Sequence, residues 1–175
     1  MENGVRKVFL HPGDFVFAEP GTHVHTVLGS CIAICLWHPV LHIGGMCHFV
    51  LPFRPSAESK PEEPDGRYGD EAMKLFDLAL KLHQTHYKEY QAKIFGGANM
   101  FRGTSASSKD ALIGERNADK AMQLLMNRGA AITVVHVGEQ GHRRIVMDVG
   151  TGDVWVKYKS DNPDERSMGS QSGIN

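Results

Sequence analysis

The sequence predicts an α+β fold. Short apolar segments separated by Gly- and Pro-containing turns dominate the chain, and only two segments carry a helical apolar pattern. Most neighbouring strands are joined by connections short enough for hairpins, and long crossovers are few. Strands that pair largely as hairpins, with helices as separate inserts, are typical of this class.

Nine strands are expected where apolar and β-branched runs are bounded by turn residues. They cover residues 5–10, 14–18, 23–28, 32–37, 43–51, 92–95, 131–137, 144–149 and 153–158.

Two helices interrupt the strands. The first is expected to begin at Asp70 as its N-cap and to bury Met73, Phe76 and related apolar residues. The second covers Ile113–Asn127 and stops at Gly129.

The length and composition indicate a single globular domain. The 175 residues are 41% hydrophobic, which is enough for a substantial core. We expect this domain to span residues 1–158, and we expect the polar segment 159–175 to be a disordered tail.

Charge and hydropathy exclude several classes of function. The formal net charge is −1 and no basic block stands out, which disfavours a nucleic-acid partner. The longest apolar runs hold about nine residues, too few to cross a bilayer. The N-terminus also lacks a signal-peptide core. The sequence therefore predicts a cytoplasmic protein without membrane insertion.

Cys31 is the most informative of the three cysteines. Without an export signal, free thiols in a reducing compartment are expected. Cys31 follows Gly29-Ser30, a turn that can present backbone N–H groups to a carbonyl, as an oxyanion hole requires. This makes Gly29 and Ser30 candidate substrate-binding residues. Cys35 and Cys47 are interpreted as core.

His48 is the candidate partner of this thiol. Runs 32–37 and 43–51 predict an antiparallel hairpin closed by a four-residue turn at 38–41. In that register Cys31 lies directly opposite His48, with Cβ atoms about 4.5–5.5 Å apart. A neighbouring imidazolium lowers a thiol's pKa, and the thiolate is the nucleophile. His48 is then the candidate general base and acid.

The sequence pattern does not decide which residue orients the His48 imidazole. The strand at 23–28 offers His23 and His25 on one face and Thr26 on the other. A metal alternative would combine His23, His25, Cys31 and His48 around zinc. No Cys-x-x-Cys or His-Glu-x-x-His motif supports it, so we expect no metal.

The chain also resembles the CheD chemotaxis proteins from about residue 8 to residue 158. The matching segments follow the family's order and spacing: Leu28-Gly29-Ser30-Cys31, Ile43-Gly44-Gly45-Met46-Cys47-His48-Phe49-Val50-Leu51-Pro52, Arg67-Tyr68-Gly69-Asp70, Lys93-Ile94-Phe95-Gly96-Gly97-Ala98-Asn99-Met100-Phe101, Ile113-Gly114-Glu115-Arg116-Asn117 and Thr151-Gly152-Asp153-Val154-Trp155-Val156-Lys157.

The resemblance implies a chemoreceptor glutamine deamidase, an amidohydrolase that uses a Cys/His/Thr constellation and no cofactor. Its β-sheets would pack together with the helices outside. Cys31 and His48 fall on the nucleophile and base, and Thr26, or else His25, on the third position. The implied partners are cytoplasmic helices of methyl-accepting chemoreceptors and, in some members, a CheC-like phosphatase.

Two further hypotheses come from other classes. In the first, the chain is a non-catalytic regulator that binds a CheC-like phosphatase or a receptor. In the second, it is a zinc protein. Rapid alkylation of Cys31 near neutral pH would favour the enzyme over the regulator, and metal analysis would identify a zinc protein.

Overall fold

The computed structural model describes residues 4–56, 62–100, 112–160 and the backbone of 171–174. These residues form three layers: an outer sheet, a central sheet and a pair of helices. The α+β class with packed sheets and external helices is confirmed.

The outer sheet has the strand order β1-β3-β8-β9-β10. Its first two strands run parallel and the remaining neighbours run antiparallel. The strands are β1 (Arg6–Phe9), β3 (Thr22–Leu28), β8 (Gly141–Asp148), β9 (Val154–Ser160) and β10 (Gln171–Ile174).

The central sheet has the order β2-β5-β4-β6-β7, and only its β6–β7 pair is parallel. The strands are β2 (Phe15–Ala18), β4 (Ile32–Trp37), β5 (Gly44–Phe49), β6 (Gln91–Gly96) and β7 (Ala131–Val137). Strands β4 and β5 are buried on both faces, which explains their nearly continuous apolar sequences.

Two helices cover one face of the central sheet. Helix α1 (Gly69–Leu82) and helix α2 (Ile113–Asn127) bury their apolar stripes against β4, β5 and β6. A short 3₁₀ turn, Tyr87–Glu89, precedes β6. No helix within the described ranges combines the length and apolar character needed to span a membrane.

Asp70 is not the N-cap of α1, contrary to expectation. The helix begins at Gly69, so the cap position is Tyr68, two residues before the predicted one, and it has no side-chain cap bond. The Asp70 carboxylate instead accepts the N–H of Glu71 within the first turn, where a negative charge suits the helix dipole.

The central sheet separates two apolar clusters. Its helix-facing side contributes Ile32, Ile34, Cys47 and Phe49 to one cluster. The side facing the outer sheet contributes Ala33, Cys35 and Met46 to the other, which also contains inward residues of β3, β8 and β9. Cys35 and Cys47 are fully buried in these clusters, as predicted.

The predicted register of the central hairpin is wrong by two residues. His38 N–H donates to Ile43, so Ala33, rather than Cys31, lies opposite His48. The turn is longer than expected because His42 adopts a left-handed conformation and the His38 Nδ1 accepts the N–H groups of Val40 and Leu41. A shift of two residues preserves the face on which each side chain lies.

The segment 159–175, expected to be a disordered tail, includes residues that the structure describes as strand. Gln171–Ile174 form β10 and pair with β9, which itself extends through Ser160. This pairing satisfies the backbone groups of an edge that β9 would otherwise expose. Residues 161–170 and 175 lie outside the described part of the chain.

Replacing Gly45 by Ala is expected to destabilise the fold by about 1–3 kcal/mol. A Cβ there would lie 2.3 Å from the Val16 carbonyl oxygen and 2.9 Å from the Phe17 ring, so β2 would have to move away from β5. Urea unfolding measures the effect. Gly4→Ala is the control, since a Cβ at Gly4 meets nothing within 4 Å. Equal unfolding midpoints for the two variants would contradict the close strand contact.

Candidate functional site

The segment that carries Cys31 is fixed by backbone hydrogen bonds to residues 96–98. Ala98 N–H donates to Gly29 O and Gly97 N–H donates to Cys31 O, both at 2.9 Å. Gly96 and Gly97 have φ values of +113° and +62°, and a Cβ on Gly96 would lie 2.1 Å from Cys31 O. Glycine is therefore required for this close approach.

Asn117 holds the same segment from α2, a role that the sequence patterns did not reveal. Its buried side-chain amide donates to Ser30 O at 3.0 Å and to Val50 O at 2.8 Å. It thus joins the residue before Cys31 to the chain just after β5. A helical Asn buried on the apolar face is the signal that could have identified it.

The turn before Cys31 leaves amide hydrogens available. In the described part of the chain, the N–H groups of Ser30 and Cys31 donate to no backbone carbonyl. The carbonyl groups of Gly29, Ser30 and Cys31 are all engaged, so the orientation of these peptides is fixed. Such an arrangement suits an oxyanion hole, in which preoriented N–H groups meet developing negative charge.

His48 and Thr26 meet across the space between the two sheets. The Thr26 Oγ1 on β3 lies 2.8 Å from the His48 Nδ1 on β5. Both residues are buried, with 4% and 2% of their surfaces exposed. Of the two candidates for orienting His48, the structure brings Thr26 into contact, whereas His25 lies on the opposite face of β3 and stacks on Phe9.

The hydrogen bonds around Thr26 define the His48 tautomer. The Thr26 hydroxyl has one hydrogen, which it donates to the Leu10 carbonyl at 3.0 Å. Its oxygen must therefore accept from His48, so Nδ1 carries the proton. The Nε2 atom of His48 then carries a free lone pair. This atom is buried and has no hydrogen-bond partner among the described residues.

Cys31 lies on the same layer as His48 but is not hydrogen-bonded to it. The thiol packs against the cluster between the sheets, on the face of the central sheet that bears His48. Ala33, the residue directly opposite His48, is small and lies two positions from Cys31. Cys31 and His48 are therefore diagonal rather than direct neighbours.

Burial keeps both groups neutral in this structure. Desolvation lowers the pKa of His48 to about 4, with the nearby Asp14 carboxylate opposing that effect. Desolvation also raises the pKa of the Cys31 thiol, and its own backbone N–H opposes the rise. The expected thiolate–imidazolium pair with a lowered thiol pKa is therefore absent from the described structure. The cause is that an unpaired charge is costly between two apolar sheets.

The zinc alternative is not supported by the placement of its residues. His23 and His25 project from the outer face of β3, while His48 and Cys31 lie between the sheets. Among the described residues no cluster of three or more His, Cys, Asp or Glu side chains is arranged to hold a metal ion.

A cavity of about 380 Å³ reaches the Thr26–His48 pair from outside. Its wall includes Leu10 and Pro12 from the connection between β1 and β2, and Arg144 from β8. The cavity exists because β1 ends at Phe9, opposite His25, while β3 continues to Leu28.

Similarity to known proteins agrees with this architecture. A family model described as CheD chemotactic sensory transduction matches residues 50–158. The probable chemoreceptor glutamine deamidase CheD 3 of Dechloromonas aromatica is 45% identical over 154 residues, which is 88% of each chain. The chain belongs to the CheD family.

A second CheD relative, the probable chemoreceptor glutamine deamidase CheD of Pseudomonas syringae pv. tomato, is 38% identical and covers 89% of this chain and 91% of its own. A solved structure, Bacillus licheniformis hypothetical protein YfiH, covers 79% of this chain and 60% of its own. It has a TM-score of 0.37 and 12% identity, too distant a likeness to carry an argument. The family-model match begins at residue 50, after Thr26, Cys31 and His48, so it does not test their roles.

The buried neutral His48 is expected to make the fold acid-sensitive. Its pKa is about 4 in the folded protein and about 6.5 when unfolded, so only the unfolded chain gains the proton as pH falls through this interval. Lowering the pH from 7 to 4 should therefore reduce the free energy of unfolding by about 3 kcal/mol through His48 alone. Urea titrations of wild type and His48→Gln at both pH values measure this. Equal losses in the two proteins would show that His48 titrates normally.

Proposed function

We propose that this chain is a chemoreceptor glutamine deamidase that converts receptor glutamine side chains to glutamate and ammonia. The observation that carries the proposal is the Thr26–His48 hydrogen bond, which leaves a bare imidazole Nε2 on the layer that holds Cys31. The relatives named as probable chemoreceptor glutamine deamidases support the choice of reaction.

The first step is attack by Cys31 on the side-chain amide carbon of the substrate. His48 Nε2 accepts the thiol proton as Sγ forms its bond to that carbon. The amide oxygen takes up the electron pair of its double bond and is stabilised by the N–H groups of Ser30 and Cys31. Because the thiol and imidazole begin neutral, charge develops only when substrate is present.

The second step releases ammonia. The imidazolium of His48 donates its Nε2 proton to the amide nitrogen, the carbon–nitrogen bond breaks and a thioester to Cys31 remains. A water molecule then attacks the thioester carbon while His48 accepts one of its protons. The carbon–sulfur bond then breaks and releases glutamic acid. The Cys31 sulfur takes the proton back from His48, which regenerates the enzyme.

Thr26 supports both steps without contacting the substrate. By accepting a hydrogen bond from Nδ1–H, it maintains the tautomer whose Nε2 can act as a base. It also gives the imidazolium a hydrogen-bond acceptor in an apolar layer, where an unsolvated charge would be costly. Thr26 is thus a positioning residue for His48.

The proposal includes the finer assignments that the family suggests. The reaction is that of a protein-glutamine glutaminase, the substrates are cytoplasmic helices of methyl-accepting chemoreceptors, and the compartment is the cytoplasm. No metal or organic cofactor takes part in the steps given above. Binding of a CheC-like phosphatase stays a prediction.

Cys31→Ala is expected to abolish ammonia release from a receptor cytoplasmic fragment, because the nucleophile is lost while a small side chain remains. Mass spectrometry of the receptor should show the amide-to-acid mass gain with wild type alone. Cys35→Ala is the control, since that thiol is buried in the core and should be dispensable for the reaction. Deamidation by Cys31→Ala at the wild-type rate would exclude the mechanism and favour a non-catalytic regulator.

Thr26→Val is expected to lower kcat about 100-fold or more with little change in KM, because His48 loses the acceptor that fixes its tautomer. Thr26→Ser retains the hydroxyl and should recover most of the rate. Steady-state ammonia release measures both variants, and thermal unfolding verifies that each is folded. A Thr26→Ser variant as slow as Thr26→Val would contradict the role assigned to the hydroxyl.

A further inference from the structure

The outer sheet exposes a surface that the proposed chemistry does not use. In β3 and β8, buried residues alternate with accessible ones, so one set faces the core and the other faces solvent. The strand register aligns the accessible set across β1, β3, β8 and β9. We call this surface the cationic face and define it by Lys7, Phe9, Arg144, Trp155, Lys157 and Lys159.

The cationic face has a strong excess of positive charge, although the whole chain has a net charge of −1. Asp148 is the one carboxylate in its four strands, and it lies 3.4 Å from His23 at the far end. In the described part of the chain, the four cations of the face take part in no salt bridge. Their charge is therefore available to a partner.

Large apolar side chains lie among these cations. Phe9 is 63% exposed and Trp155 is 44% exposed, and Val27, the cross-strand neighbour of Arg144, is 52% exposed. Exposed aromatic residues close to unpaired cations are typical of protein interfaces, where aromatic and Arg side chains are enriched.

The face borders the candidate active site. Arg144 and Phe9 belong both to the cationic face and to the wall of the cavity that reaches Thr26 and His48. A segment lying across the face at this border would pass the opening where β1 ends and β3 continues.

We infer that the cationic face docks an acidic, partly apolar segment of the protein substrate. This inference rests on the proposed function, because it assigns the surface to the same substrate. Carboxylates of the segment would pair with Arg144 and Lys157, which are cross-strand neighbours in the register. Its apolar side chains would cover Phe9 and Trp155.

The composition of the face favours a protein over other polyanions. Nucleic-acid surfaces depend chiefly on dense contacts to phosphate, whereas this face interrupts its cations with exposed aromatic and aliphatic side chains. An amphipathic acidic helix supplies both carboxylates and apolar groups at the spacing of one helix face.

Fluorescence anisotropy tests the docking directly. The probe is a labelled helical peptide that carries one glutamine among glutamates, with a twin peptide in which serines replace the glutamates. We expect Arg144→Glu/Lys157→Glu to weaken binding of the acidic peptide about tenfold or more, and added NaCl to weaken binding to wild type. The serine peptide should bind poorly to every protein.

The matched control is Lys81→Glu/Lys88→Glu, which makes the same change in net charge at the end of α1 and in the 3₁₀ turn. It should bind the acidic peptide as wild type does. Thermal unfolding of all variants verifies that the fold is retained.

Several results would overturn the inference. Equal peptide affinity for the two charge-reversal variants would show that net charge, and not this face, governs binding. Tighter binding of a DNA duplex or of phosphatidylserine vesicles, lost with Arg144→Glu/Lys157→Glu, would assign the face to nucleic acid or membrane. A wild-type dimer in sedimentation that the same variant dissociates would assign it to a second copy of the chain.

The activity assay separates this inference from the proposed function. Absence of ammonia release from the receptor fragment with wild type would reject the deamidase, whatever the peptide affinities are. With an active wild type, Lys157→Glu/Lys159→Glu, which changes only residues outside the cavity wall, should raise KM for the receptor fragment and leave kcat unchanged. An unchanged KM would overturn the docking role alone.

Discussion

The hydrogen bond between Thr26 and His48 is the contact on which the proposed chemistry depends. It joins two sheets that share an apolar cluster, so the packing of that cluster sets the distance between the hydroxyl and the imidazole. Because the Thr26 hydroxyl donates its hydrogen to the Leu10 carbonyl, His48 must be the donor in this hydrogen bond. A backbone group thereby determines which imidazole nitrogen is free to accept a proton, and the sheet packing determines where that nitrogen lies.

The same apolar surroundings explain why the resting site is uncharged. Sheets that pack closely exclude water, and the exclusion favours a thiol and a neutral imidazole over an ion pair. In the proposed reaction, charge separates only when a substrate is bound. Its amide oxygen then takes up negative charge, which the N–H groups of Ser30 and Cys31 stabilise.

The sequence was sufficient for nine of the ten strands, for both α-helices and for the face of each candidate residue, but not for the distances between those residues. The predicted hairpin between 32–37 and 43–51 placed Cys31 and His48 on one face, and the two-residue error in its register kept them there because side-chain direction repeats every two residues. The register depended on the left-handed His42 in the turn, which no sequence pattern indicated. Thr26 could not be chosen over His25 because that choice depends on how two sheets face each other. Asn117 was also missed, since its partners are carbonyl groups distant in sequence.

The site draws its parts from both sheets, with α2 adding Asn117 from a distant part of the chain. Thr26 and His48 stand on different sheets, so neither sheet alone can bring the imidazole to the hydroxyl. The proposed site therefore exists only in the assembled domain. A chain whose two sheets have not yet packed together would lack this contact, so the proposed chemistry is tied to completion of folding.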